Sequence, residues 1–197
     1  MTEQELTLDI TDWIYDFLNV AHPALGGHKV CPFAATARWR AQVGTDPSND
    51  LINLATHWDD GKDVVVLAYD PKVVSARFLE QAVEQANLRV LIPIDLLALE
   101  DHPDDLESVN GVIMNNGKYA IILVQRFSKI DAAARSLRPQ GYYATWPKDY
   151  YDRVAGWREQ HAPVGYSPKF DYRDGKAKYN DQGPNSTDFQ STTQIRV

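Results

Sequence analysis

The sequence predicts an α+β (or α/β) fold: a small mixed sheet of about four strands, with a βαβ unit and a hairpin, flanked by N- and C-terminal helices. Three observations carry this expectation. Asp63–Tyr69 (DVVVLAY) is a β-branched apolar run bounded by Asp-Gly-Lys and Asp-Pro, the pattern of a buried strand. Lys72–Asn87 repeats apolar residues at helical spacing directly after it. Asn115-Asn116-Gly117 separates two apolar runs, and Asn-Gly readily takes the positive φ of a tight hairpin turn.

Taken in order, the first element is a helix over Thr11–Val20, in which Ile10, Trp13, Ile14, Phe17 and Leu18 recur at helical spacing and Asp9 or Thr11 supplies the cap. Pro23 and Gly26-Gly27 break it. A second helix is expected from Cys31-Pro32 to about Val43, because proline suits the first helical position, where its missing N–H has no intrahelical partner anyway. Cys31 is then its N-cap, and Gly44 with Thr45–Asn49 ends it. A short helix is expected around Asp50–Trp58. The helix at Lys72–Asn87 draws its apolar face from Val73, Ala76, Phe78 or Leu79, and Val83, and a strand at Arg89–Ile94 completes the βαβ unit. Val109–Met114 and Tyr119–Gln125 form the hairpin. Helices follow at Ser128–Leu137 and Pro147–Gln160, the latter with Tyr150, Val154 and Trp157 on one face.

From Pro163 aliphatic residues nearly vanish. The expected organisation is therefore one globular domain, 1–162, and a polar tail, 163–197, flexible or draped on the domain through its tyrosines and Phe170.

Composition narrows the function. A net charge of −7 argues against non-specific binding of a phosphate backbone, which needs a basic stripe, so no nucleic-acid partner is expected. The single cysteine cannot build an intrachain disulfide framework and fits a reducing compartment. The N-terminus (MTEQELTLDITDW) has no apolar core for a signal peptide, and no run reaches the ~18 apolar residues of a membrane span. A cytoplasmic protein with no membrane partner is expected.

Cys31 is the focus for chemistry. A cysteine at a helix start meets unpaired N–H groups and the positive end of the helix dipole, which favour the reactive thiolate. His28, three residues earlier, can reach it around the Gly-Gly turn, and a Cys–His pair is the minimal apparatus of thiol catalysis. The backbone N–H groups of Phe33 and Ala34 then stabilise an anion. Arg38 and Arg40 lie about two turns on and carry little weight for the thiol, although Arg38 counts as a ligand contact. The plainer alternative is a structural cysteine among Val30, Phe33, Ala34 and Ala35, acting as a small hydrophobe.

Trp13, Leu18 and Cys31-Pro32-Phe33-Ala34 together resemble the opening of an uncharacterised bacterial protein family. Its members begin with a tryptophan-bearing helix, then an apolar stretch, then a Cys-Pro-Phe-Ala motif that opens a second helix. The resemblance covers about the first forty residues. It implies an α/β protein of similar size and no reaction, and the segment His22–Lys29 departs from it. A thioredoxin-like site is set aside, because no resolving cysteine exists and no strand precedes Cys31.

Three further constellations stand in the sequence. His22, His28 and Cys31, with His57 or a carboxylate, offer donors for a tetrahedral metal site, although the spacing follows no regular zinc pattern. His102-Pro103-Asp104-Asp105 resembles the His-Pro-Asp-Asp motif of the zinc-dependent N-acetylglucosaminyl-phosphatidylinositol de-N-acetylase-like family in those four residues alone, and otherwise reads as a turn or helix start. Tyr142, Tyr143 and Trp146 begin an aromatic stretch that continues through Tyr150, Tyr151 and Trp157, with an apolar body and a polar handle at each position.

These residues give one leading expectation and two alternatives. The first is a small-molecule enzyme or ligand-binding protein, with Cys31 as nucleophile, His28 as base, and Phe33, Ala34, Arg38, Tyr142, Tyr143 and Trp146 as ligand contacts. The others are a non-catalytic interaction protein using the 142–157 region and the tail, with a homo-oligomer as one form of it, and a His/Cys metal protein. No cofactor is identifiable.

Overall fold

The structure is a computed structural model and describes residues 1–158, together with the backbone of 170–173 and 176–179. Among these residues the fold is α+β, with a four-stranded mixed sheet, five α-helices and three two-stranded pairs. Helix α1 spans Glu3–Trp13. It starts earlier than the predicted Thr11–Val20, because Thr2 and Glu5 form a capping box: the Glu5 N–H donates to Thr2 Oγ1 at 3.2 Å, and the Thr2 N–H donates to Glu5 Oε2 at 2.8 Å. Leu6, Ile10 and Ile14 form its buried stripe, and the chain widens into a π-helical turn over Ile14–Leu18. Strands β1 (Ala21–His22) and β2 (His28–Lys29) then pair around Pro23–Gly27.

The predicted helix from Cys31 to Val43 is absent. A single 3₁₀ turn, Ala34–Thr36, is followed by strand β3, Trp39–Val43. Trp39, Ala41 and Val43 alternate with Arg40 and Gln42, a period of two that a parallel pairing with the next strand rewards. Helix α2, Pro47–Thr56, begins where that helix was to end, with Asp46 accepting from the N–H groups of Ser48 and Asn49. Strand β4, Val64–Tyr69, and helix α3, Ala76–Ala86, match the predicted strand and helix closely. On α3 the buried residues are Leu79, Ala82, Val83 and Ala86, whereas Val73 and Phe78 are exposed.

The strand expected at Arg89–Ile94 is helical instead. A π turn, Asn87–Leu91, and a 3₁₀ turn, Ile92–Ile94, lead to Asp95 in the left-handed region, and strand β5 runs over Leu96–Asp101. The hairpin also moves. Strands β6 (Ser108–Val109) and β7 (Val112–Ile113) turn at Asn110-Gly111, both at positive φ, while Asn116-Gly117 only leads into β8, Ala120–Arg126. Helices α4 (Phe127–Leu137) and α5 (Lys148–Tyr151) follow, and α5 continues as a π turn over Asp152–Gly156. Asp95 caps α4 from outside, accepting from Ser128 N–H at 2.8 Å and Oγ at 2.7 Å. Strands β9 (Phe170–Arg173) and β10 (Lys176–Tyr179) form an antiparallel pair. The remainder of the expected tail, including its flexibility, lies outside the described residues.

The strand order is β3-β4-β8-β5. Strand β3 is parallel to β4, and β8 is antiparallel to both β4 and β5. There are thus two crossovers: β3-α2-β4 between neighbours, and β4-α3-β5 with β8 inserted between its strands. One sheet face carries Val65, Leu67, Leu96, Ile122 and Val124 against α2 and α3, forming a core with Leu51, Leu54, Leu79 and Val83. The other carries Val66, Ala68 and Ile121 against α1. At the free edge of β5 the buried Asn87 side chain imitates a neighbouring strand, donating to the Ala98 carbonyl at 2.9 Å and accepting from the Ala98 N–H at 2.8 Å. No described helix is long and apolar enough to cross a membrane.

Candidate functional site

A cavity of about 840 Å³ lies between the α1 side of the sheet, the 30–37 loop, α4 and the C-terminal helical segment. Its floor is Trp39, Val64, Val66, Leu123 and Gln125. Its walls include Trp13 and Leu18 on one side and Ile130, Ala133, Trp146 and Trp157 on the other. Residues from both faces of β5, Leu99 and Asp101 on one and Ala98 and Glu100 on the other, also line it, so the cavity wraps past the open edge of that strand. An apolar chamber of this size with a few polar groups at its ends is the usual form of a small-molecule site.

Cys31, Phe33, Ala34 and Trp146 line this cavity. The Cys31 N–H donates to the Leu18 carbonyl at 2.9 Å, and the Tyr142 hydroxyl donates to the Val30 carbonyl next door, which together hold the loop in place. Burial pushes the Cys31 thiol up, with the neighbouring backbone N–H groups of Phe33 and Ala34 opposing. Cys31 is not the N-cap expected of it: the turn that follows, Ala34–Thr36, has Phe33 at its N-cap and no side-chain cap hydrogen bond, and burial favours the thiol form.

His28 does not join Cys31, and no hydrogen bond links the two among the described residues. The pairing of β1 with β2 sets His28 opposite His22, and the His28 ring packs edge-on to Tyr142 at 5.5 Å. His22 packs on Phe17 at 5.4 Å. His22, His28 and Cys31 form no ligand set, and no group of three or more metal-ligating side chains occurs among the described residues. Arg38 is not among the cavity-lining residues; its guanidinium makes a forked pair with Asp63, which is, at 3.0 and 3.1 Å. Burial alone would raise Asp63, but Arg38 and Lys129 outweigh it and hold this carboxyl far below the usual range. Tyr142 and Tyr143 stand behind the wall in an aromatic stack with Trp146, Tyr150 and Tyr151.

His102 of the His-Pro-Asp-Asp segment is a satisfied core residue. Its Nδ1 accepts from the Asp104 N–H at 3.0 Å, which leaves Nε2 to donate to the Val74 carbonyl at 2.8 Å. The segment is a turn rather than a helix start.

Sequence reasoning missed the polar end of the cavity, formed by Glu100, Asp101, Glu107, Asn115 and Arg153. Asn115 donates to Asp101 at 2.7 Å and accepts from the Glu107 N–H at 2.7 Å, drawing the 101–107 loop over the cavity. Arg153 pairs with Glu107 at 2.9 Å, and the Tyr150 hydroxyl donates to Glu107 at 3.1 Å. Burial pushes Glu107 up despite both partners. Glu100 is accessible to solvent but stands in a concave wall. Desolvation there, with Glu107 and Glu80 adding and Arg153 opposing, pushes it up to about 7. The available signal was a carboxylate pair, Glu100-Asp101, ending an apolar run. The Trp13 indole N–H, in the opposite wall, is buried with no hydrogen-bond partner among the described residues.

No protein-family model, curated protein or solved structure matches this chain.

Proposed function

We propose that this protein binds a small molecule of metabolite size in the cavity beside β5, with an apolar or aromatic body and a polar end. The observation that carries the reading is the cavity of about 840 Å³, assembled from segments distant in sequence, with polar groups collected at one end. The unpaired Trp13 N–H supports it, since a ligand acceptor would satisfy that donor. A single thiol and an acidic surface fit a protein of the reducing cytoplasm.

Four of the five tryptophans, Trp13, Trp39, Trp146 and Trp157, line the cavity, so the protein carries its own reporter. Titration with the neutral solvatochromic dye Nile red is expected to give saturable, blue-shifted emission and to change tryptophan fluorescence. Leu123→Trp, which places an indole in the cavity floor, is expected to abolish that signal while circular dichroism stays unchanged. Dye binding that survives in folded Leu123→Trp, or no binding to the parent, would refute the reading.

Thiol chemistry at Cys31 is a second reading. It is favoured by one observation, the place of Cys31 in the cavity wall beside Phe33 and Ala34. Slow alkylation by iodoacetamide at neutral pH, slowed further by a bound ligand, is expected if the sulfur faces the ligand. A thiol that reacts only after unfolding counts against it. An interaction surface at 142–157 receives less support, since Tyr142 and Tyr150 are buried in the aromatic stack.

A further inference from the structure

We infer that the molecule held in this cavity is an organic cation, an amine or quaternary ammonium group carried on an apolar or aromatic body. This rests on the small-molecule reading above and adds the charge of the ligand to it. The cavity wall carries six carboxylates, Asp63, Glu80, Glu84, Glu100, Asp101 and Glu107, against two cations, Lys129 and Arg153. Both cations already have carboxylate partners: Lys129 lies 2.5 Å from Asp63, and Arg153 lies 2.9 Å from Glu107. Asp101 is occupied by the Asn115 amide at 2.7 Å and the Asn116 N–H at 2.6 Å. Glu80, Glu84 and Glu100 have no salt-bridge partner among the described residues. Glu80 and Glu84 are one turn apart on α3, a like-charge spacing that costs stability unless a cation relieves it.

The rest of the wall suits the same ligand. Four indole rings line it, and the negative face of an indole attracts a cation more strongly than any other side-chain ring. The protein already makes such a contact there, for the Arg153 guanidinium stands 5.4 Å from the centre of the Tyr150 ring. An anionic ligand would face three acidic side chains that no cation of the described residues pairs. A cation is attracted both by the acidic side chains and by the rings.

The test compares three ligands with one ring system by titration calorimetry on the full chain: 2-(1-naphthyl)ethylamine, 2-(1-naphthyl)ethanol and 1-naphthylacetate. The amine is expected to bind about tenfold more tightly than the alcohol, and the acetate more weakly than either. Glu100→Gln should weaken amine binding about threefold, with circular dichroism of the unliganded variant reporting that it folds. Equal binding of amine and alcohol, or amine binding that Glu100→Gln leaves unaltered, would overturn the cation and leave the cavity reading standing. Failure of all three to bind would overturn both.

Discussion

The two faces of the sheet are built from similar residues and end differently. Toward α2 and α3, Val65, Leu67, Leu96, Ile122 and Val124 are at most 4% exposed, and Leu51, Leu54, Leu79 and Val83 fill the space against them. On the other side, Val64, Leu99 and Leu123 are apolar yet only half-buried, because α4 and the C-terminal helical segment stand off from the sheet and leave a cavity. The strands alternate between these faces, so one sheet serves both as the floor of a closed core and as the floor of a chamber. The closed face supplies the cohesion that lets the other face stay open, since an apolar chamber forgoes the contacts a filled core would make.

The comparison predicts a graded response to truncation. Leu67→Ala, on the closed face, should lower stability by about 3 kcal/mol in urea denaturation, the range of buried leucines whose site cannot collapse. Asn87→Ala should cost about 2 kcal/mol by the same measurement, because it strips both hydrogen bonds from the buried Ala98 backbone at the edge of β5. Leu123→Ala, on the open face, should cost only about 1 kcal/mol, since it enlarges a space that already exists. Equal losses for Leu67→Ala and Leu123→Ala would mean that the second face is as closely packed as the first.

A smaller effect concerns pH. Glu100 is pushed up to about 7 from its ordinary 4.5, chiefly by desolvation, with Glu107 and Glu80 adding and Arg153 opposing. The folded protein therefore holds a proton that the unfolded chain releases. The stabilisation this brings is fully present below about pH 4.5 and is lost as pH rises through about 7. Thermal melts of Glu100→Gln against the parent should show the variant gaining relative stability over that interval. Parallel curves would place Glu100 in open water rather than in a cavity wall.

Much of the closed face was legible in the sequence. The β-branched run at Val64–Tyr69 and the amphipathic period of α3 each announce themselves within a short window, and on the open face so does the helix Phe127–Leu137. Other local signals were present and misweighed. Thr2 and Glu5 form a capping box that moves α1 toward the N-terminus, and Asn110-Gly111 outcompetes Asn116-Gly117 as the hairpin turn. At Trp39–Val43, Pro32 suggested a helix, yet the alternation of Trp39, Ala41 and Val43 belongs to a strand whose partner, β4, lies a whole helix further along the chain.

The candidate site was legible only in fragments. Cys31, Phe33, Ala34 and Trp146 were identified and do line the cavity. His28 was paired with Cys31 by proximity in sequence, whereas the register of a two-residue strand pair sets it opposite His22. Glu107 and Arg153 pair across 46 positions of sequence, with Asn115 tying the Glu107 backbone to Asp101. By itself the sequence determined the types of β4, α3 and α4, the acidic balance and the solitary thiol, because periodicity, turn chemistry and charge are properties of short windows and of sums. Tertiary structure alone decided the strand order, that Cys31 lies in a cavity wall rather than at a helix start, and that one sheet face keeps a chamber. These depend on strand order and on the volume filled between elements that the chain joins only after folding.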